Sequence, residues 1–285
     1  QLAFNYLDNA GYSSMGLLTS LQKLRSKQWF GSNQVPAYLM THPASEDRMG
    51  NIDTHVANNP LPEKNRRPVD ENVFRFVQAT LSGKYSDADT ALAGFDSQLK
   101  TLPGDTIALY GKALALAQMG DYPNSVIYLK KALEKDALNP VMLKELGRIY
   151  FLEGQFPKAL QALEGSVGLA PEDSESLFYL SRTRMELGEL GKAADGFNTI
   201  LKRNPTETEA YLFLGNTYGM QGNMGEAHYY LGKYYQLKGS WKTAVVHLEK
   251  ALPLITDPKQ KEEIETMLKR ATKTARDESL EKEVE

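Results

Sequence analysis

The sequence predicts an all-α solenoid of stacked antiparallel helical pairs, and three observations predict it. From residue 72 onward the chain repeats every 34 residues, with units beginning at Asn72, Thr106, Pro140, Ser174 and Thr208. Small residues return at two fixed places in the unit, and a glycine returns between them. A period of this length marks an array in which each unit is too small to bury its own apolar face and must stack on its neighbours.

Each recurring position has a physical task. Position 8 is Ala79, Ala113, Gly147, Ser181 and Gly215, and position 20 is Ala91, Ser125, Ala159, Ala193 and Ala227. Small side chains at both let two antiparallel helices approach closely. Position 24 is Phe95, Leu129, Leu163, Phe197 and Leu231, and is expected to fill the gap between adjacent units. Position 15 is Ser86, Gly120, Gly154, Gly188 and Gly222; glycine there supplies the left-handed residue that ends the first helix. Pro103, Pro171 and Pro205, at position 32, stop the second. The pattern resembles the tetratricopeptide repeat, and the resemblance implies a superhelical solenoid of about five repeats over residues 72–256. One departure matters: Gly232, Gly239, Ala244 and Leu248 restart the pattern only 17 residues after Gly215. The helix around Ala227 to Leu237 is therefore expected to close one pair and open the next, giving a final unit of three helices. Residues 257–285 read as a charged amphipathic helix whose Ile264, Met267, Leu268 and Ala271 cap the last repeat, with a frayed tail after Asp277.

Ahead of the repeats, Leu2, Ala3, Tyr6 and Leu7 fall on one helical face that Gly11 ends. No start residue, leader or N-cap precedes that face, so it reads as a helix cut from something longer; a processed terminus is the alternative. Leu17, Leu18, Leu21 and Leu24 predict a second helix, and a loop with Trp29, Phe30, Gly31 and Pro36 follows. A third helix is expected from Pro43 to about Ala57. Residues 59–71, rich in proline and in charges of both signs, read as the linker.

Composition excludes several functions. The 285 residues are 41% apolar and 24% charged with net charge −3, so no charge excess points to nucleic acid. No run of apolar residues reaches the length of a membrane span. The absence of cysteine excludes disulfides, thiolate zinc sites and cysteine nucleophiles. Of the four histidines, His55, His228 and His247 read as surface or packing residues, and no HExxH motif, phosphate loop or nucleophile elbow occurs.

His42 stands apart through a second resemblance. Leu2-Ala3-Phe4, the Gly11-Tyr12 turn, the Leu-rich helix, Thr41-His42-Pro43 and Glu46-Asp47-Arg48 are similar to the C-terminal part of the catalytic domain of BepA-type, HtpX-related zinc metalloproteases, in which a tetratricopeptide domain follows. The resemblance makes residues 1–58 a helical remnant of a protease domain. It implies zinc in an intact parent and His42 as a ligand gating that zinc. It also implies a periplasmic or envelope location, with outer-membrane protein assembly factors among the partners. The HExxH histidines, its glutamate and the third ligand are not in this chain, so the chain alone is expected to bind no cofactor and to cleave nothing. A free-standing tetratricopeptide adaptor with no protease connection is the alternative.

In tetratricopeptide solenoids positions 2, 5, 9 and 12 of the first helix line the concave groove. Here these include Tyr110, Lys144, Arg148, Phe151, Phe178, Arg182, Met185 and Asn216. Basic heads beside aromatic and methionine surfaces suit a peptide of acidic character. The carboxylate-clamp pattern of chaperone-binding relatives is not matched, because Glu209 stands where a lysine is required. A solvated inner face, or one filled by the chain's own N-terminal segment, is the alternative.

Overall fold

The computed structural model describes residues 6, 7, 10, 15–29, 46–58 and 71–284. The chain divides into two compact units, Gln1–Glu71 and Asn72–Glu285. In the first, helices α1 (Met15–Trp29) and α2 (Glu46–Asn58) pack through Leu18, Met49 and Ile52, with Leu17, Leu21 and Val56 around them. Helix α1 runs on to Trp29, which the sequence placed in a loop. The Thr41-His42-Pro43 segment lies outside the described residues, as does the helix expected before Gly11 apart from Tyr6, Leu7 and Ala10.

The second unit is a solenoid. Its pairs are α3 (Glu71–Tyr85) with α4 (Ala88–Thr101), α5 (Thr106–Gln118) with α6 (Tyr122–Leu133), and α7 (Pro140–Leu152) with α8 (Phe156–Leu169). Then come α9 (Ser174–Glu186) with α10 (Leu190–Arg203) and α11 (Thr208–Met220) with α12 (Met224–Leu237). Helices α13 (Trp241–Ala251) and α14 (Pro258–Val284) complete it. The first helices are capped by acid or amide side chains: Asp105, Asn139 and Asp173 accept hydrogen bonds from the opening N–H groups of α5, α7 and α9. Gly120, Gly154, Gly188, Gly222 and Gly239 end first helices at φ between 71 and 80°. The residue after each donates its N–H five residues back, as from Asp121 to the Leu116 carbonyl at 2.9 Å and from Gln155 to Tyr150 at 2.8 Å.

The small residues do what the sequence requires of them. A Cβ on Gly147 would lie 2.4 Å from Leu163 Cγ, and one on Gly215 would lie 2.9 Å from Leu231 Cγ. Position 24 thus packs on position 8 of its own repeat as well as bridging to the next. The larger rings do bridge: Phe95 fills the space where a Cβ on Gly111 of the next repeat would stand, at 2.3 Å, and Phe197 stacks on Phe213 at 6.0 Å. A leucine is spent on its own pair, whereas a phenylalanine is long enough to reach onward.

At the C-terminal end the pattern restarts as expected. Gly232 of α12 sits against Leu248 of α13, where a Cβ would meet its Cδ2 at 2.6 Å, so α12 serves as second helix to α11 and first helix to α13. Helix α14 covers α12 and α13 with Ile264 and Ala271, both fully buried, and with Met267 and Leu268. It also keeps the repeat period: Tyr229 donates to Glu263 at 2.8 Å and Gln260 to Glu226 at 3.0 Å, each pair 34 residues apart. The helix runs to Val284, and Glu, Lys and Leu, all good helix formers, make up most of its last turns.

Two glycine substitutions with opposite outcomes test this packing. Gly147→Val drives side-chain atoms into Leu163 and is expected to lower stability by about 1–3 kcal/mol. Gly94→Ala, at a helix position with nothing within 4 Å, is expected to raise it by about 0.5–1 kcal/mol. Thermal and urea unfolding of the two variants measures both.

Candidate functional site

The first helices of the repeats carry all eight residues that the sequence assigned to a groove, and the structure places them in very different surroundings. Tyr110 is fully buried. Its ring lies flat on Phe76, centroids 4.5 Å apart, its hydroxyl is 3.2 Å from Thr80 Oγ1, and burial pushes the hydroxyl far above its ordinary titration range. It offers no surface to a ligand. Phe151 and Met185 are also buried, Phe178 is half-buried, and Asn216 is exposed.

Two of the three cations are already used. Lys144 Nζ is 3.1 Å from Asp173 and 2.7 Å from Glu175. Burial opposes its charge, but these two carboxylates outweigh burial and raise its pKa. Arg148 Nε donates to Glu145 at 2.8 Å, while Lys84 of α3 pairs with the other oxygen of the same carboxylate. Glu145 is completely buried, so both cations are needed to hold its charge. For Arg148 too, burial is overcome by its carboxylate and the pKa rises.

Arg182 is the exception. Its guanidinium lies between the rings of Phe151 of α7 and Phe213 of α11, 4.5 and 4.4 Å from their centroids, with Phe178 at 5.8 Å and Tyr179 at 5.9 Å. Three successive first helices therefore meet in one stack of aromatic ring, planar cation and aromatic ring. Nε is buried and has no hydrogen-bond partner, and among the described residues no carboxylate forms an ion pair with this side chain. Burial lowers its pKa, the opposite direction from Lys144 and Arg148. Around the stack, Phe178 meets Phe213 edge-on at 5.4 Å and Phe197 at 5.9 Å. A cleft of about 230 Å³ is lined by Phe178 with Ser174, Glu175, Ile200, Glu207 and Glu209.

A second pairing joins residues that the sequence left as surface or packing positions. His228 of α12 and His247 of α13 approach to 3.0 Å between their Nδ1 atoms, and Tyr235 stacks on His247 at 5.2 Å. A hydrogen bond between two ring nitrogens needs one donor and one acceptor, so the two rings cannot both be protonated while it is made. The helices are brought together by the Gly232–Leu248 contact, which no histidine motif announces. Among the described residues no group of three or more His, Asp or Glu side chains is placed to hold a metal.

Burial depresses both imidazole pKa values; the Lys250 charge adds to this at both rings and the partner ring adds to it at His247. As pH falls below the unfolded value of about 6.5 the unfolded chain binds protons first, so stability declines until pH passes the folded values. Lowering pH from about 7.5 to 5 is expected to reduce the melting temperature by more in the wild type than in His247→Phe; equal losses would show that the pair does not couple to folding.

Comparison with known proteins agrees with this architecture. Tetratricopeptide-repeat profiles match residues 82–140, 110–174 and 150–216. The chain is 31% identical over 147 residues to the TPR repeat-containing protein MJ1428 of Methanocaldococcus jannaschii, covering 51% of this chain and 25% of that protein. It is 27% identical over 128 residues to a DnaJ homolog subfamily C member 7 homolog of Dictyostelium discoideum, covering 43% of this chain and 24% of that protein. The chain thus spans about a quarter of each relative. Among solved structures it is similar to YrrB, described as a TPR protein with an unusual peptide-binding site, with a TM-score of 0.53 at 22% identity over 70% of this chain and 97% of that one. It is also similar to MamA from Desulfovibrio magneticus RS-1, with a TM-score of 0.53 at 21% identity over 61% and 97%. The solenoid of helices α3 to α14 has the tetratricopeptide-repeat fold, and its residues 82–216 match tetratricopeptide repeats.

Proposed function

We propose that the chain is a protein-interaction scaffold that receives an extended segment of a partner along the first helices α7, α9 and α11. The observation that carries this reading is the run of half-buried rings on those helices, Phe178, Tyr179 and Phe213 around Arg182, which ends at the exposed Asn216. Rigid aromatic surface beside a cation gives contact area at low entropic cost. The solenoid fold supports the same reading, and one structural neighbour is described as having a peptide-binding site. The groove is narrower than the sequence suggests, because Tyr110 is enclosed and Lys144 and Arg148 are engaged within the chain.

Asn216 and Phe213 are three residues apart on α11 and share a face. For a peptide selected from a displayed random library against the whole chain, Asn216→Glu is expected to weaken binding about tenfold or more. Ile127→Glu, at an exposed position on the second helix α6, is expected to leave it unchanged. Equal effects of the two would remove this face.

The more specific reading is that the scaffold serves a BepA-type zinc metalloendopeptidase in envelope protein quality control, delivering substrates or engaging outer-membrane assembly factors. Support for it comes from the Thr41-His42-Pro43 and Glu46-Asp47-Arg48 segment ahead of the repeats. In that setting His42 takes the coordination position reserved for water and holds the enzyme latent. If an HExxH motif lies upstream, His42→Ala in the intact protein is expected to keep its zinc and change the cleavage rate of casein; unchanged cleavage would make His42 an ordinary loop residue.

A further inference from the structure

We propose that Arg182 is the anchor for a single carboxylate of the partner segment, and that the groove selects one acidic residue flanked by apolar or basic side chains over an acidic tract. The inference rests on the peptide-binding reading above and names what that groove recognises.

The argument starts from the charge balance of the inner face. Lys144 and Arg148 share three carboxylates with Lys84 inside the chain, and a ligand gains little by competing for them. Arg182 has no carboxylate within ion-pair distance among the described residues; Glu186 and Glu209 act on it only from further off and do not overcome its burial. Its rings supply only the modest attraction of a quadrupole and leave the buried Nε–H unsatisfied, since an aromatic face accepts hydrogen bonds poorly. A guanidinium that is half-buried, held flat by Phe151 and Phe213 and missing an acceptor is preorganised for a planar anion: no rotamer entropy remains to be lost when the carboxylate arrives. The rings that clamp it are also the surface on which the flanking residues must lie, so apolar neighbours are favoured.

The cleft that Phe178 lines sets the second half of the selectivity. Glu175 is taken by Lys144 and Glu209 by Lys238 at 3.2 Å, but no cation pairs with Glu207 among the described residues. A second acidic residue placed there meets repulsion, and a basic one meets attraction. A chain of glutamates therefore gains once at Arg182 and loses next to it.

Three acetylated twelve-residue peptides test this on the whole chain by fluorescence anisotropy. One has a single Glu between Leu and Phe residues, one has Gln in its place, and one has four consecutive Glu. The single-Glu peptide is expected to bind about tenfold more tightly than the Gln peptide, and more tightly than the four-Glu peptide. In Arg182→Gln, with its melting temperature checked against the wild type, the Glu and Gln peptides are expected to bind alike. Arg182→Lys is expected to recover only part of the difference, because a point charge cannot stack between two rings. Equal binding of the Glu and Gln peptides by the wild type, or a preference for four Glu, overturns the anchor while leaving the groove. If none of the three binds and no library peptide does either, the groove itself is overturned.

Discussion

The close approach of two helix backbones within each repeat is the constraint on which the rest of the solenoid depends. Gly147 against Leu163, Gly215 against Leu231 and Gly232 against Leu248 are the same contact made three times. In two of the three the leucine is wholly enclosed: Leu163 and Leu248 have no exposed surface, while Leu231 is half-buried. It also fixes how far apart successive first helices stand, and hence which of their side chains can touch. The Arg182 stack and the buried Glu145 pairings are consequences of that spacing.

The inner face shows how a repeat array handles charge. The buried Glu145 takes Lys84 from the first helix two repeats earlier and Arg148 from its own, and Asp173 and Glu175 take Lys144, so an apparently basic groove becomes mostly neutral and internally cross-linked. Such ion pairs resist rearrangement because removing one partner strands the other in a low-dielectric setting. What remains available to a ligand is the cation whose neighbours are rings. Specificity in this groove arises less from total charge than from which charge the scaffold leaves unspent.

Much of the fold was legible in the sequence, because the 34-residue register assigns small, large and turn-forming residues to fixed tasks and the structure places each of them accordingly. The helix shared between the last two pairs could be read from Gly232 and Leu248 alone. The candidate site was less legible. A face assignment gives the direction of a side chain but not its partner across repeats, and those partners lie at a different spacing. Thr80 and Tyr110 are 30 residues apart, Gln236 and Met267 are 31, and Phe151, Arg182 and Phe213 follow each other at 31. Successive first helices slide past one another, so residues three or four positions short of a full repeat come together. The Arg148–Glu145 pair was visible as an i, i+3 spacing, whereas Lys84 reaches Glu145 from 61 residues earlier in the chain, across two repeats. The His228–His247 approach had no sequence signal, because its cause is the glycine one turn along α12 and not the histidines.

Helix α12 has a consequence for how the molecule can grow or shrink. In an ordinary array a repeat is gained or lost as two helices, and each end always presents the same kind of helix. A helix that is second to its predecessor and first to its successor breaks that parity. From α11 onward the chain is a succession of single helices, each seated on the last. Lengthening or shortening at this end can then proceed in half-units of about 17 residues without leaving a helix unpaired, and each half-unit step exchanges the inner face of the solenoid for the outer one at the exposed edge.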